Sequence, residues 1–358
     1  MCQACSPRPT ADGSFAETMV DTFNKSAVAL MVSIGHRTGL FDAMDGLEPS
    51  TSQQVADAAG LNERYVREWL GAMTTGGVVH HDRSANTFWL PAEHAEFLTR
   101  RSTSGNLAVT AQFIAVLADV ETEIVDCFRN GGGVPYERFP RFHEVMAEES
   151  EQTVVAALTE HILPLAPEAL QRLSAGIDVL DAGCGRGHAL LHLAAQYPRS
   201  RFVGFDLSEQ AVGYANAEAE RRGLTNARFE RRDLTAFHPD RRFDLVTSFD
   251  AIHDQADPAG MLRGIHAALR PEGVYLAQDI AGASRIGDNM QTPLAPFIYT
   301  ISCMHCMTVS LAQGGAGLGA AWGEQLASRM LREAGFDRVD LHRLEHDIMN
   351  VFYVARRN

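Results

Sequence analysis

Cysteine, basic charge and long apolar runs are all scarce in this sequence. Six cysteines in 358 residues (Cys2, Cys5, Cys127, Cys184, Cys303, Cys306) are too few and too irregularly spaced for a disulfide framework. A reduced chain in the cytoplasm is the expectation. No uninterrupted apolar run reaches the roughly 18–20 residues of a membrane span, and the opening MCQACSPRPTADGSF lacks the charged-then-apolar order of a signal peptide. Neither a membrane nor secretion is expected. Lys and Arg number 31 against 45 Asp and Glu, a formal net charge of −14 spread without an acidic tail. That balance repels polyphosphate chains, so nucleic acid is not the expected partner.

What the chain does have is core-forming capacity, with 46% hydrophobic residues at a length sufficient for two or three domains. Residues 1–14 are small, polar and proline-containing, and read as a flexible terminus. From Phe15 to about Met44, apolar residues recur at three and four spacings, giving one or two helices whose stripe wants a partner surface. Next come a polar cap at Thr51 or Ser52, a short helix, a turn at Gly60, a helix from Asn62 and a hairpin through HDRSAN. That is the order of a winged helix-turn-helix, assigned to residues 15–102. Residues 103–175 read as helical, broken at NGGGVPYERFP, and form a linker that covers the site.

After Gly176, short apolar runs (IDVLDAG, RFVGFDLS, ARFERRDL, FDLVTSFD, GVYLAQDI) alternate with amphipathic helices. This is the signature of an α/β fold with a mostly parallel sheet. The last two runs, RVDLHRLEHD and IMNVFYVARR, follow too closely for a crossover and predict an antiparallel hairpin.

In such a sheet, ligands sit where strands end, which singles out VLDAGCGRGHALLHLA. A phosphate-gripping P-loop is excluded, because His188 and Ala189 stand where Lys and Ser/Thr are needed. A dinucleotide fingerprint spaces its glycines G-x-G-x-x-G, whereas these are Gly183, Gly185 and Gly187. Asp181 ahead of the loop repels a pyrophosphate and attracts a ligand with positive charge, as S-adenosylmethionine has. Asp206 closes the next run, placed to accept both ribose hydroxyls. Asp233 follows the third, placed to accept the adenine amino proton. Singly, glycines serve turns and aspartates cap helices; three carboxylates at successive strand ends make a site.

VLDAGCGRG, GFDLS, RRDL and FDLVTSFDAIHD resemble the successive motifs of class I S-adenosylmethionine-dependent methyltransferases over residues 176–358. The whole chain is similar to winged-helix small-molecule methyltransferases of actinobacteria, including the lid-like MHCMTVSLAQGGAGLGAAWGEQ. The resemblance implies a Rossmann-like sheet behind a winged helix, with S-adenosyl-L-methionine as cofactor. It implies a cofactor pocket of Asp181, Gly183, Gly185, Gly187, Asp206, Leu207, Asp233, Leu234 and Phe249. It also implies a homodimer paired through the N-terminal domain.

Methyl transfer to a hydroxyl wants a base, and AIHDQADP resembles the histidine–aspartate segment of O-methyltransferases, with His253 as the match. Gln255 replaces the tryptophan usual in that family, and a bracing role for His253 stays open. About 40 residues separate the fifth strand from the helix near Trp322, an insertion (281–321) long enough to be a lid. Its Met, Cys and aromatic content suggests an apolar wall, with Tyr299, His305 and Trp322 as acceptor-lining candidates, joined by Tyr136 and His143 from YERFPRFHEVMAEES. The pairs CQAC and CMHC lie about 300 residues apart, so buried structural cysteines are expected and no metal is.

The expected function is O-methylation of a small, partly apolar molecule. Two other readings stand beside it: a winged-helix DNA-binding regulator, and a protein that binds S-adenosylmethionine without transferring its methyl.

Overall fold

A computed structural model describes residues 14–102, 105–235, 237–345 and 347–357. The expected flexible terminus and the CQAC pair fall outside these residues, apart from Ser14. The chain divides into two compact units between Asp119 and Val120.

In the first unit, Ser14 opens a helix at Phe15–Thr38 through a capping box with Glu17, and left-handed Gly39 ends it. A short turn of helix, Leu40–Met44, follows. Thr51 caps Ser52–Ala59 by the same device with Gln54, and Asn62 caps Glu63–Thr75. The wing is β1 (His80–Asp82) paired antiparallel with β2 (Thr87–Trp89). Trp69 and Phe41 meet edge to face at 5.2 Å in the core, and the Trp69 indole donates to the Met31 carbonyl. The helix Leu107–Ala118, expected in the linker, belongs to this unit and packs on Phe15–Thr38. Arg64 and Arg67 of the helix Glu63–Thr75, the one a DNA-binding winged helix would set in the groove, are paired with Glu68 and Glu63 of the same helix. Their charge is thus met locally rather than offered to phosphates.

The second unit is built on seven strands: β3 (Asp178–Ala182), β4 (Arg201–Asp206), β5 (Ala227–Arg231), β6 (Phe243–Phe249), β7 (Leu269–Ile280), β8 (Arg338–Leu344) and β9 (Asp347–Arg356). Their order is β5-β4-β3-β6-β7-β9-β8. The first five are parallel, while β9 runs antiparallel to both β7 and β8, as the close spacing of the last two runs predicts. Central strands β3 and β6 are buried along almost their whole length because helices cover both faces. The order reverses between β3 and β6, so a crevice opens at their carboxyl ends.

The insertion after β7 folds into one helical stretch, Ala295–Ala312, long and apolar enough by composition to cross a membrane. Its polar groups are tied into the unit instead. The Val134 amide donates to Thr308 Oγ1 at 2.8 Å, and Ser310 Oγ donates to the Gln255 carbonyl at 2.7 Å.

Candidate active site

The glycine loop closes over the ends of β3 and β4. The amides of Gly183 and Cys184 both donate to the Phe205 carbonyl, which fixes the loop's path. Gly187, at φ +74°, begins the helix His188–Gln196, and a Cβ there would lie 2.3 Å from the Phe229 ring. Gly185, at φ +52°, is the opposite case: no atom lies within 4 Å of where its Cβ would be. The space beyond that position is open.

Asp206 stands at the end of β4 beside it. One carboxylate oxygen accepts the Gly185 amide at 2.8 Å and the other accepts the Ser208 amide at 2.8 Å. Each oxygen keeps a further lone pair for hydroxyls. Leu207 next to it is 41% exposed, available to cover a flat ring. Asp233 is exposed with Oδ1 on the Thr235 amide, and Phe249 is half-buried. Leu234 lies in the core with Phe205 and Phe237, so its side chain supports the pocket from behind.

Asp181 is not the exposed charge that its place before the loop suggests. It is buried and accepts from Thr247 Oγ1 at 2.8 Å. Burial, against that hydrogen bond, pushes its pKa up to about 7. Sequence reasoning also passed over Arg186, whose guanidinium lies 4.7 Å over the Tyr214 ring with a buried Nε that meets no partner.

A second group assembles on the β6–β7 side. His253 is 3% exposed, and its Nδ1 lies 2.7 Å from Asp279 Oδ1, at the end of β7. The same oxygen accepts the Trp322 indole at 3.1 Å and the Ile280 amide at 2.8 Å. Trp322 therefore braces the carboxylate from a buried position. Burial opposes a charged His253, but the Asp279 carboxylate outweighs it, with Cys306 in hydrogen-bond contact, and holds the ring's pKa well above the usual value. With Nδ1 on Asp279, Nε2 is the ring nitrogen left for any other partner.

Donor atoms of Asp250, His253 and Asp279 lie within 4.8 Å of one another, close enough to suit a cation. The 2.7 Å Nδ1–Oδ1 separation is also a hydrogen-bond length.

The remaining candidates gather around this pair, with one exception. The Tyr136 hydroxyl donates to Asp254, and its ring stacks on His143 at 5.7 Å. His305 is buried among Tyr136, Phe139 and Phe142. Tyr299 sits apart, its oxygen accepting from Asn289 at 3.0 Å, in a small pocket shared with Ile280, Ala281, Ile298 and Ala320. A π-helical turn at Ser302–Cys306 interrupts the lid helix and brings His305 and Cys306, adjacent residues, both inside. Asp279 was missed as well, although AQDI ends an apolar run with an aspartate just as RFVGFD does.

Comparison with known proteins identifies the two domains. Residues 26–100 match the Rv2258c-like winged HTH domain, and residues 173–335 match a methyltransferase domain. The chain thus carries a winged-helix domain ahead of a domain of a methyltransferase family. A ubiquinone biosynthesis O-methyltransferase of Methylobacterium sp. (strain 4-46) is 32% identical to this chain over 120 residues, 33% of its length. The chain spans less than half of that relative, 45% of its length. A putative O-methyltransferase from Nostoc punctiforme superposes with a TM-score of 0.72 at 18% identity, covering 97% of this chain and all of the other. Human N-acetylserotonin methyltransferase, solved with its cofactor SAM, gives 0.68 at 16% identity over 97% and 99% of the two chains. At these identities the likeness establishes the shared fold.

Proposed function

We propose that this chain binds S-adenosylmethionine across the ends of β3 and β4 and catalyses O-methylation of a small, partly apolar molecule. The observation that carries the reading is the pairing of an open Gly185 cradle beside Asp206 with a buried His253–Asp279 couple on the β6–β7 side. The residues present suit the cofactor. Asp206 would take the ribose hydroxyls, Leu207 and Phe249 would flank the adenine, and Asp233 would accept its amino group. The Gly183–Gly187 loop would lie along the methionine part, with the unmet Nε of Arg186 suited to a carboxylate.

When bound, this cofactor supplies a methyl group on a positively charged sulfur. The protein's part is to hold the acceptor hydroxyl in line and move its proton. His253 Nε2 takes that proton, while Asp279 holds Nδ1–H and stabilises the imidazolium that forms. Tyr136 and His143 wall the acceptor space, and Tyr299 lines the small apolar recess beyond. Asp254, tied to Tyr136, fixes the loop that carries His253.

The chain acts as a homodimer in this reading. Phe15, Val20, Phe23, Leu30 and Ile34 stay exposed along one long helix, an apolar face that a second copy would cover. Phe23→Glu would then shift the mass measured by light scattering from dimer to monomer.

Isothermal titration with S-adenosylmethionine and, in parallel, with NAD tests the cofactor. Micromolar binding of the former alone supports the reading; binding of neither, or of NAD alone, overturns it.

A further inference from the structure

One buried side chain of the lid carries polar atoms that meet nothing. His305 is 1% exposed, and neither ring nitrogen has a hydrogen-bond partner. Its neighbours are rings. It lies flat on Phe142 with centroids 3.4 Å apart and planes 11° from parallel. Tyr136 and Phe139 present edges to it at 5.2 Å and 4.7 Å. Leaving a buried donor and acceptor unmet is costly, and such a group is retained where a ligand can complete its bonds.

The surroundings select the ligand. Burial, with His143 and His253 nearby, pushes the His305 pKa well below its usual value, so the ring is neutral and offers one N–H and one lone pair. Cys306, the next residue, packs with Ile298 and Ala320 in an apolar cluster. Ring faces and small apolar side chains accept a flat apolar body, and the few polar atoms read what that body carries. Asp250, Asp254 and Asp279 lie close by around His253, which disfavours an anionic acceptor.

We propose that His305 reads the methyl acceptor: its imidazole hydrogen-bonds a second polar group on a flat, uncharged hydroxyarene whose reacting hydroxyl faces His253. This rests on the methyl-transfer reading and deepens it by naming the acceptor class. His305 is a specificity residue here, while proton removal stays with His253.

The test uses the full chain with S-adenosylmethionine and three probes: catechol, resorcinol and phenol. Turnover is followed by release of S-adenosylhomocysteine. At least one dihydroxybenzene is expected to exceed phenol in kcat/KM by about tenfold, the net worth of one hydrogen bond. His305→Phe brings that ratio close to one with the cofactor Kd unchanged, and His305→Gln restores part of the preference. Equal kcat/KM for all three probes in the unaltered protein overturns the proposal, as does a preference that survives both substitutions. No turnover of any probe by protein that binds S-adenosylmethionine overturns the acceptor class alone. Loss of cofactor binding in the unaltered protein removes the methyl-transfer reading beneath it.

Discussion

The two ends of the parallel sheet treat their carboxylates differently. At the amino end, Asp178 and Asp244 begin β3 and sit near the start of β6, and arginines meet both. Arg201 bonds Asp178 at 2.6 Å, Arg270 spans Asp178 and Asp244, and Arg172 reaches Asp244 as well. At the carboxyl end, Asp206, Asp233, Asp250, Asp254 and Asp279 form no ion pair with any lysine or arginine among the described residues. Their partners are backbone amides, one hydroxyl, two amide side chains, an indole and one imidazole. A carboxylate already met by arginine holds the fold together. One kept clear of cations keeps lone pairs for a ligand, or for the proton on a base.

The sharpest way to break this contrast is His253→Ala. Turnover should fall about a thousandfold, the scale of a lost general base, while titration gives an unaltered cofactor Kd. Retained turnover would reduce His253 to a brace.

Asp244→Ala probes the other end. Denaturant unfolding should show a loss of about 2–4 kcal/mol, because Arg172 and the half-buried amide of Asp178 lose their acceptor and Arg270 keeps only Asp178. The folded variant should bind cofactor as before, and a weakened Kd would blur the division between the ends.

Asp206→Ala should weaken S-adenosylmethionine binding by about thirtyfold with a smaller effect on stability, the value of charge-assisted bonds to a hydroxyl pair.

Asp279→Asn sharpens the comparison through pH. The Asp279 carboxylate raises the His253 pKa, and the free base is the form that accepts a proton, so activity climbs with pH in the unaltered enzyme. Removing that charge lowers the pKa. The ascending limb of kcat/KM should move to lower pH while the plateau drops about tenfold. An unmoved limb would mean that another group titrates.

Much of the geometry around the glycine loop was legible in the sequence because its parts are local. Gly183 to Gly187 form one loop, and Asp206 and Asp233 each mark where a strand-like run stops, so the order of runs already implies neighbouring positions. The Asp181 environment was not legible, since a buried Thr247 from the adjacent strand meets its carboxylate. The cluster around His253 draws on residues near 136–143, 253, 279, 305 and 322, which no local pattern connects. Trp322 reads as a pocket residue until its indole is seen on Asp279.

By itself the sequence determined the alternation of strands and helices, the winged helix ahead of it, and the strand-end glycines and carboxylates. Periodicity and turn chemistry act over a few residues, and the order of elements restricts a parallel sheet to few topologies. Only the tertiary structure decided which carboxylates arginines claim, which aspartate orients His253, and where His305 points its unmet nitrogens. Those outcomes depend on contacts between separate segments, the contact of His305 with Phe142 spanning more than a hundred residues, and on a π turn that shifts the helical stretch Ala295–Ala312 out of regular period.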